Sequence, residues 1–226
     1  MVNPKNAKLV GGVWLPGEEM HLVEMMLHNP RGTVFREGKS TYQIHKIDAC
    51  LARLAPVRRR VCVDVVGHVG LWAMWLATAF RELNAFKPTA LHADLFRHNV
   101  RADNATLHEV ALGDAPGFCD VKQLGESSGD TCIQPGVGNI EIRLLDSYEL
   151  SDVDFVKIDV EGFELQVTEG ARETLLRNRP MVCVEQKVRE ESFFGATPKR
   201  ALKFLLELGM RQRLEVQDDY ILDWPK

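Results

Sequence analysis

The chain has 226 residues, 45% of them hydrophobic and 27% charged, which excludes a disordered or fibrous polypeptide. That length suits one large domain, or a domain with an extension, around a sizeable core. With 28 Lys and Arg against 32 Asp and Glu the formal net charge is −4, which argues against duplex DNA as a partner, since neutralising its phosphates takes a basic face.

The opening MVNPKNAKLVGGVW lacks the basic end and apolar run of a signal peptide. Residues 1–60 are expected to form a helical N-terminal extension that packs on the core. One helix is predicted over Glu18–His28 and another over Thr41–Leu54, with Ile44, Ile47, Leu51 and Leu54 on one face. Arg58, Arg59 and Arg60 read as a solvated strand entrance. From Val61 the rhythm changes to short apolar runs alternating with helical segments. Val61–Val66 is a strand, Gly67 to Gly70 a turn, and Leu71–Phe80 a helix apolar all round, too short to span a bilayer. No membrane partner is expected.

Asn84–Phe86 then reads as a second strand ended by Pro88, His92–Val100 as a helix, and Thr106–Leu112 as a third strand stopped by Gly113 and Asp114. Residues 114–150 form a β-rich insertion with strand-like pieces at Phe118–Val121 and Ile140–Leu144. A strand over Asp154–Val160, a helix over Phe163–Arg177 and a strand over Met181–Glu185 follow. Thr197 as N-cap and Pro198 at the first position open the last helix, Gly209 stops it, and a hairpin-like stretch from Leu214 to Trp224 closes the chain. This alternation predicts an α/β domain over residues 61–226 with a doubly wound, mostly parallel sheet. Ligands in such sheets bind beyond the carboxyl ends of the strands, where the strand order switches.

The five cysteines (Cys50, Cys62, Cys119, Cys132 and Cys183) form no C-x-x-C pair and no cluster with histidine, so neither structural zinc nor a disulfide framework is indicated. Their odd number fits reduced thiols and a cytoplasmic location.

Four segments fall at strand ends. VCVDVVGHVG (residues 61–70) places Asp64 near the end of a buried strand and follows it with a glycine turn into a helix, a nucleotide-binding design. A dinucleotide G-x-G-x-x-G pattern needs glycine at 65, where Val65 stands. NAFKP (84–88) puts Lys87 where a second strand meets a ribose in many such sheets. DFVKIDVEGFE (154–164) sets Phe155, Lys157 and Asp159 on one face, with Asp159 and Glu161 at the carboxyl end, where a carboxylate can orient a substrate or act as a base. VCVEQK (182–187) ends with Glu185 beside the same crevice. Asp64, Lys87, Asp159 and Glu185 are thus predicted near one edge of the sheet.

Together these segments resemble the FkbM-type family of S-adenosylmethionine-dependent methyltransferases, nearest its short stand-alone members, including those encoded by bacteriophages. The likeness is strongest over VKIDVEGFELQVTEGARETLLRNRPMVCVEQ and extends to VDVVGHVGLW, AFKP, ALGD and LLDSYELSDVDFVKID. It implies a Rossmann-like fold of the class I methyltransferase type and S-adenosylmethionine as cofactor. It also implies methyl transfer to the hydroxyl of a small-molecule or glycan acceptor, without a metal. Asp64, Gly67, His68 and Gly70 would face the cofactor, with Lys87 at the ribose, while Asp159 and Glu161 would orient the acceptor or assist removal of its proton.

Two positions depart from the family pattern. The first loop of the family reads aspartate–x–glycine–alanine–x–x–glycine, whereas Val66 and Gly67 occupy the third and fourth places here. A β-branched residue resists the positive φ open to glycine, so the loop is expected to shift or carry strain, with Gly67 supplying freedom one residue late. The family also has glutamate where Lys87 stands. Losing that charged acceptor removes about 1.5–3 kcal/mol of ribose binding. These departures keep two alternatives open, a catalytically degenerate binding module and an oxidoreductase using NADP, whose 2′-phosphate suits Lys87.

Overall fold

The computed structural model describes residues 4–28, 34–187 and 199–225. The chain begins with β1 (Ala7–Val10) and β2 (Val13–Pro16), an antiparallel hairpin turned by Gly11 and Gly12 at φ +53° and +77°. Helix α1 (His21–Leu27) follows, then a second hairpin, β3 (Phe35–Arg36) with β4 (Lys39–Ser40), and helix α2 (Ile44–Leu51). The purely helical reading of residues 1–60 is therefore corrected: the two helices are shorter than expected and two hairpins join them. Strands of two to four residues carry too little alternation to register in the sequence. The hairpins hold one another through the Ser40 N–H, which donates to the Gly11 carbonyl at 2.7 Å.

The remainder runs β5 (Val61–Val65), α3 (Ala73–Ala79), β6 (Glu82–Phe86), α4 (Ala90–Asn99), β7 (Ala105–His108), β8 (Ala111–Leu112), β9 (Gly117–Gln123), β10 (Thr131–Pro135) and β11 (Ile140–Arg143). Then come β12 (Val153–Ile158), α5 (Glu164–Glu169), α6 (Arg172–Asn178), β13 (Met181–Glu185), α7 (Arg200–Glu207), β14 (Arg211–Val216) and β15 (Asp219–Asp223). Thr197 and Pro198 lie outside the described residues. Gly209, at φ +102°, ends α7 as expected.

Seven strands form the main sheet in the order β14-β15-β13-β12-β5-β6-β7, with β15 antiparallel to both neighbours and the rest parallel. The order switches between β5 and β12. Alternation along these strands sorts the core into two faces. Cys62, Leu83, Phe155 and Cys183 pack under α1, α2 and α3, while Val63, Val156, Val182 and Leu222 pack under α5, α6 and α7.

Two predicted elements divide. The third strand splits into β7, in the main sheet, and β8, which joins β9, β10 and β11 in a four-stranded sheet ordered β10-β9-β11-β8. The helix over Phe163–Arg177 splits into α5 and α6 around Gly170. A Cβ on Gly170 would collide with the Gly113 carbonyl, so close backbone approach to the insertion, rather than helical periodicity, governs that point. The arginine run is also less solvated than expected. Arg60 grips the buried Asp154 with two bonds of 2.8 Å, Arg59 donates to the Leu51 carbonyl at 2.8 Å, and Arg58 to the Arg179 carbonyl at 2.7 Å. No described helix is long and apolar enough to cross a membrane.

Candidate active site

At the β5–β12 switch the first face of the sheet runs out of apolar residues. Register pairs Asp64 of β5 with Lys157 of β12 and Glu185 of β13 with Asp219 of β15, so the alternation that buries Cys62 and Phe155 brings charged side chains to the strand ends. They open on a cavity of about 460 Å3, reached also by Tyr42, Gln43 and Lys46 from the start of α2, and by Ser127, Gly129 and Asp130 from the insertion.

Asp64 is fully buried, and neither carboxylate oxygen has a hydrogen-bond partner. Its nearest cation is the Lys157 ammonium, 4.0 Å away. Burial pushes the carboxyl up to about 6, against the pull of Lys157. Lys157 lies 3.0 Å from Asp159 Oδ2 and 5.3 Å from the centre of the Trp72 ring. Burial alone would lower the Lys157 ammonium, but Asp159 and Asp64 outweigh it and raise it. Burial also favours a protonated Asp159, yet Lys157 and Lys187 prevail and hold it well below the usual carboxylate range.

Asp159, Glu161 and Glu185 offer oxygens within 4.8 Å of one another, a spacing that would suit a cation. Ammonium groups already serve them: Lys187 lies 3.2 Å from Glu161 and 2.8 Å from Glu185, and Lys46, bonded to Asp219, lies 3.9 Å from Glu185. The donor set is an ion-pair network more than a metal centre.

The loop after β5 carries the anticipated strain, but Gly67 does not relieve it. The positive φ values fall on Val66 (+61°), His68 (+45°) and Gly70 (+91°). Gly67 serves by lacking a side chain, because a Cβ there would press on Asp64 Oδ2 at 3.1 Å and on Phe96. Strained backbone of this kind persists where surrounding packing over-determines it. Part of that packing is the bond from His68 Nε2 to Ser128 Oγ, 3.0 Å, while the Ser128 N–H donates to Glu19. The His68 ring also sits 4.7 Å from that of His92. Burial and the mutual proximity of these rings push His68 well below its usual range, and burial with Lys87 pushes His92 down to about 3.

Of the residues singled out in the sequence, Asp64, Gly67, His68, Asp159, Glu161 and Glu185 line the main cavity. Gly70 and Lys87 do not. Gly70 packs on α4, where a Cβ would meet Val100 Cγ2 and Phe96. Lys87 is almost wholly buried beside a second cavity of about 30 Å3, among Phe86, Val110 and Ile133. Burial lowers its ammonium to about 8, with Asp159 favouring the charge. Sequence reasoning missed Tyr42, Gln43 and Lys46. Gln43 sits at φ +52°, accepts from Trp72 Nε1 at 3.0 Å and donates to the Tyr42 hydroxyl at 3.3 Å. Nothing local marks these residues, since contacts between segments distant in the chain, such as the Trp72–Gln43 bond, bring them to the cavity.

Two expectations follow from this geometry. Gly70→Ala should lose about 2–4 kcal/mol of stability in urea unfolding, the combined scale of a left-handed alanine and an overpacked contact; a wild-type midpoint would contradict the packing on α4. Asp64→Asn should flatten a pH dependence. The folded chain keeps a proton on Asp64 that the unfolded chain has lost, so wild-type stability falls as pH rises from about 4 to about 6, by up to about 1.4 kcal/mol per unit. Unfolding at both ends of that window measures it, and an unchanged slope in the variant would refute the burial argument.

The model of the methyltransferase FkbM domain family matches residues 64–211. The search of curated proteins found no match. Among solved structures, methyltransferase FkbM from Methylobacillus flagellatus KT is 18% identical with a TM-score of 0.51, covering 73% of this chain and 43% of that one. This chain thus spans less than half of that structure. Cofactor-bound Rv0187 from MTB is 14% identical with a TM-score of 0.50, covering 81% of each chain. At such identities the likeness concerns the fold.

Proposed function

The chain belongs to the methyltransferase FkbM domain family and has the Rossmann-like class I methyltransferase fold, and from that premise we propose that it is an S-adenosylmethionine-dependent methyltransferase acting on a hydroxyl oxygen. The observation that carries this reading is Asp64, a buried carboxylate at the switch point of the sheet whose oxygens accept no hydrogen bond and whose cation, Lys157, stands 4.0 Å off. Leaving such a group unsatisfied costs free energy that a cationic ligand returns. The cavity suits one, because its lining holds more carboxylates than ammonium groups.

Asp64, Gly67 and His68 would face the cofactor and Gly70 would shape their loop, whereas Lys87, buried beside the second cavity, would offer the ribose no acceptor in place of a carboxylate. When bound, S-adenosylmethionine supplies an electrophilic methyl group. Asp159, ionised beside Lys157, and Glu161 would orient the acceptor or assist removal of its proton at the cavity edge. Much of the acceleration then comes from holding the reactants in line. We assign the acceptor wall to residues 1–60 and the 114–150 insertion of the 61–226 domain, and the acceptor to small molecules or glycans rather than duplex DNA or membranes. The buried thiols suit a cytoplasmic setting.

The burial of Lys87 and the strain at Val66 favour, as second reading, a fold retained for binding alone. Thermal unfolding with S-adenosylmethionine, S-adenosylhomocysteine and NADPH separates the readings. At a hundredfold excess over Kd the first two should raise Tm by about 5–10 °C. No shift with either favours the binding module, and a shift with NADPH alone favours the oxidoreductase.

A further inference from the structure

The segment joining β9 to β10, residues 124–130, brings the insertion to the wall of the main cavity through Ser127, Gly129 and Asp130. It is braced internally: the Leu124 N–H donates to the Asp130 carbonyl at 2.7 Å, and the Asp130 N–H to the Ser127 carbonyl at 3.0 Å. Ser128 joins this tip to two other parts of the chain. Its N–H donates to the Glu19 carboxylate, and its Oγ lies 3.0 Å from His68 Nε2. Glu19 is itself buried, and its second oxygen accepts the Leu22 N–H at 2.8 Å, at the start of α1. Burial favours a protonated Glu19, yet the bonds from Ser128 and Leu22 prevail and hold it below its usual range. A carboxylate held by backbone donors on both oxygens has little freedom to turn.

His68 is one of two residues with a side chain, Val66 being the other, that hold a left-handed φ in the loop after β5. From α4, Asn99 Nδ2 donates to the Val69 carbonyl at 2.8 Å and pins the loop on its buried side. Ser128 pins it at His68, and a Cβ on Gly129 would stand 3.7 Å from the His68 ring. Strained backbone lasts only where neighbours fix it in this way. We propose that Glu19 is a positioning residue for this loop: acting through Ser128 and His68, it ties the N-terminal extension and the insertion to the backbone that meets the cofactor. Glu19 and Ser128 stand behind the cavity lining rather than in it. Their effect reaches Asp64, because Gly67 packs against its carboxylate. The role rests on the reading above for the identity of the ligand alone; the strap of bonds exists without one.

Amide hydrogen exchange of the ligand-free protein, read residue by residue by NMR, tests the strap. The Gly67 and Gly70 N–H groups, bonded to the Phe86 and Gly67 carbonyls, report opening of the loop. Glu19→Gln leaves one acceptor oxygen for two N–H groups, and Ser128→Ala removes the hydroxyl that meets His68. Each should speed exchange at Gly67 and Gly70 by about five- to tenfold, the scale of one hydrogen bond. The double variant should go no further than the faster single variant, because both changes cut one path. Gly209, at the end of α7 on the other face of the sheet, should exchange as in wild type. A merely structural Glu19 would lower the urea midpoint and leave Gly67 and Gly70 unmoved, a result that overturns the inference. Effects that add in the double variant, or an equal rise at Gly209, overturn it as well. Should Glu19→Gln not fold, Ser128→Ala alone decides at the same amides. S-adenosylmethionine should slow exchange at Gly67 and Gly70 in wild type. Its failure to do so counts against the cofactor reading and leaves the strap to the ligand-free comparison.

Discussion

Replacing Lys157 with methionine should destabilise the fold by about 3–5 kcal/mol, the scale for removing one partner of a buried ion pair. The methionine preserves most of the packing against Trp72, so the effect isolates charge. Lys157 is the cation closest to Asp64 and lies 3.0 Å from Asp159, and both carboxylates would be left in low dielectric. Asp159 would then titrate upward, because one of the two ammonium groups holding it down is gone. Urea unfolding of Lys157→Met, Asp159→Asn and the double variant gives the coupling. The double variant should lose less than the sum of the singles, since the partners share one interaction. A loss below about 1 kcal/mol in Lys157→Met, the scale of an exposed pair, would mean the site is wetter than its geometry indicates.

Asp159→Asn should lower methyl transfer by about 10²–10⁴-fold, the range for losing a positioned general base. Asparagine keeps the shape and the hydrogen bond to Lys157 but cannot take up a proton. Affinity for S-adenosylmethionine should change by no more than about threefold, well under the tenfold that about 1.4 kcal/mol represents. Radiolabelled methyl transfer measures the first and calorimetry the second. Parallel losses in both would place Asp159 against the cofactor instead of the acceptor.

The doubly wound sheet was legible because its strands are buried on both faces and read as continuous apolar runs, Val61–Val65 and Met181–Glu185 among them. The charged residues at their ends were legible for the same reason, as interruptions of an apolar rhythm. Asp64, Lys157, Asp159 and Glu185 stand out in that way and meet at one cavity edge. Lys87 shows where such reasoning stops: its position at the end of β6 follows from spacing, but its burial beside Ile133 depends on how the insertion folds back. Gln43 lies further from reach. Its left-handed backbone and its bond to Trp72 arise from a contact between segments far apart in the chain. The loop after β5 is intermediate. The sequence foretold strain at Val66, and the structure puts a second strained residue at His68 where freedom at Gly67 was expected.

The central claim is that the cavity beside Asp64 binds S-adenosylmethionine. Calorimetric titration of wild type and Asp64→Asn with that ligand at neutral pH tests it most directly. The predicted result is single-site binding by wild type, weakened about 10–100-fold in the variant, the scale of one charged hydrogen bond of about 1.5–3 kcal/mol. Absence of binding by wild type, or equal affinity in the two proteins, would contradict it.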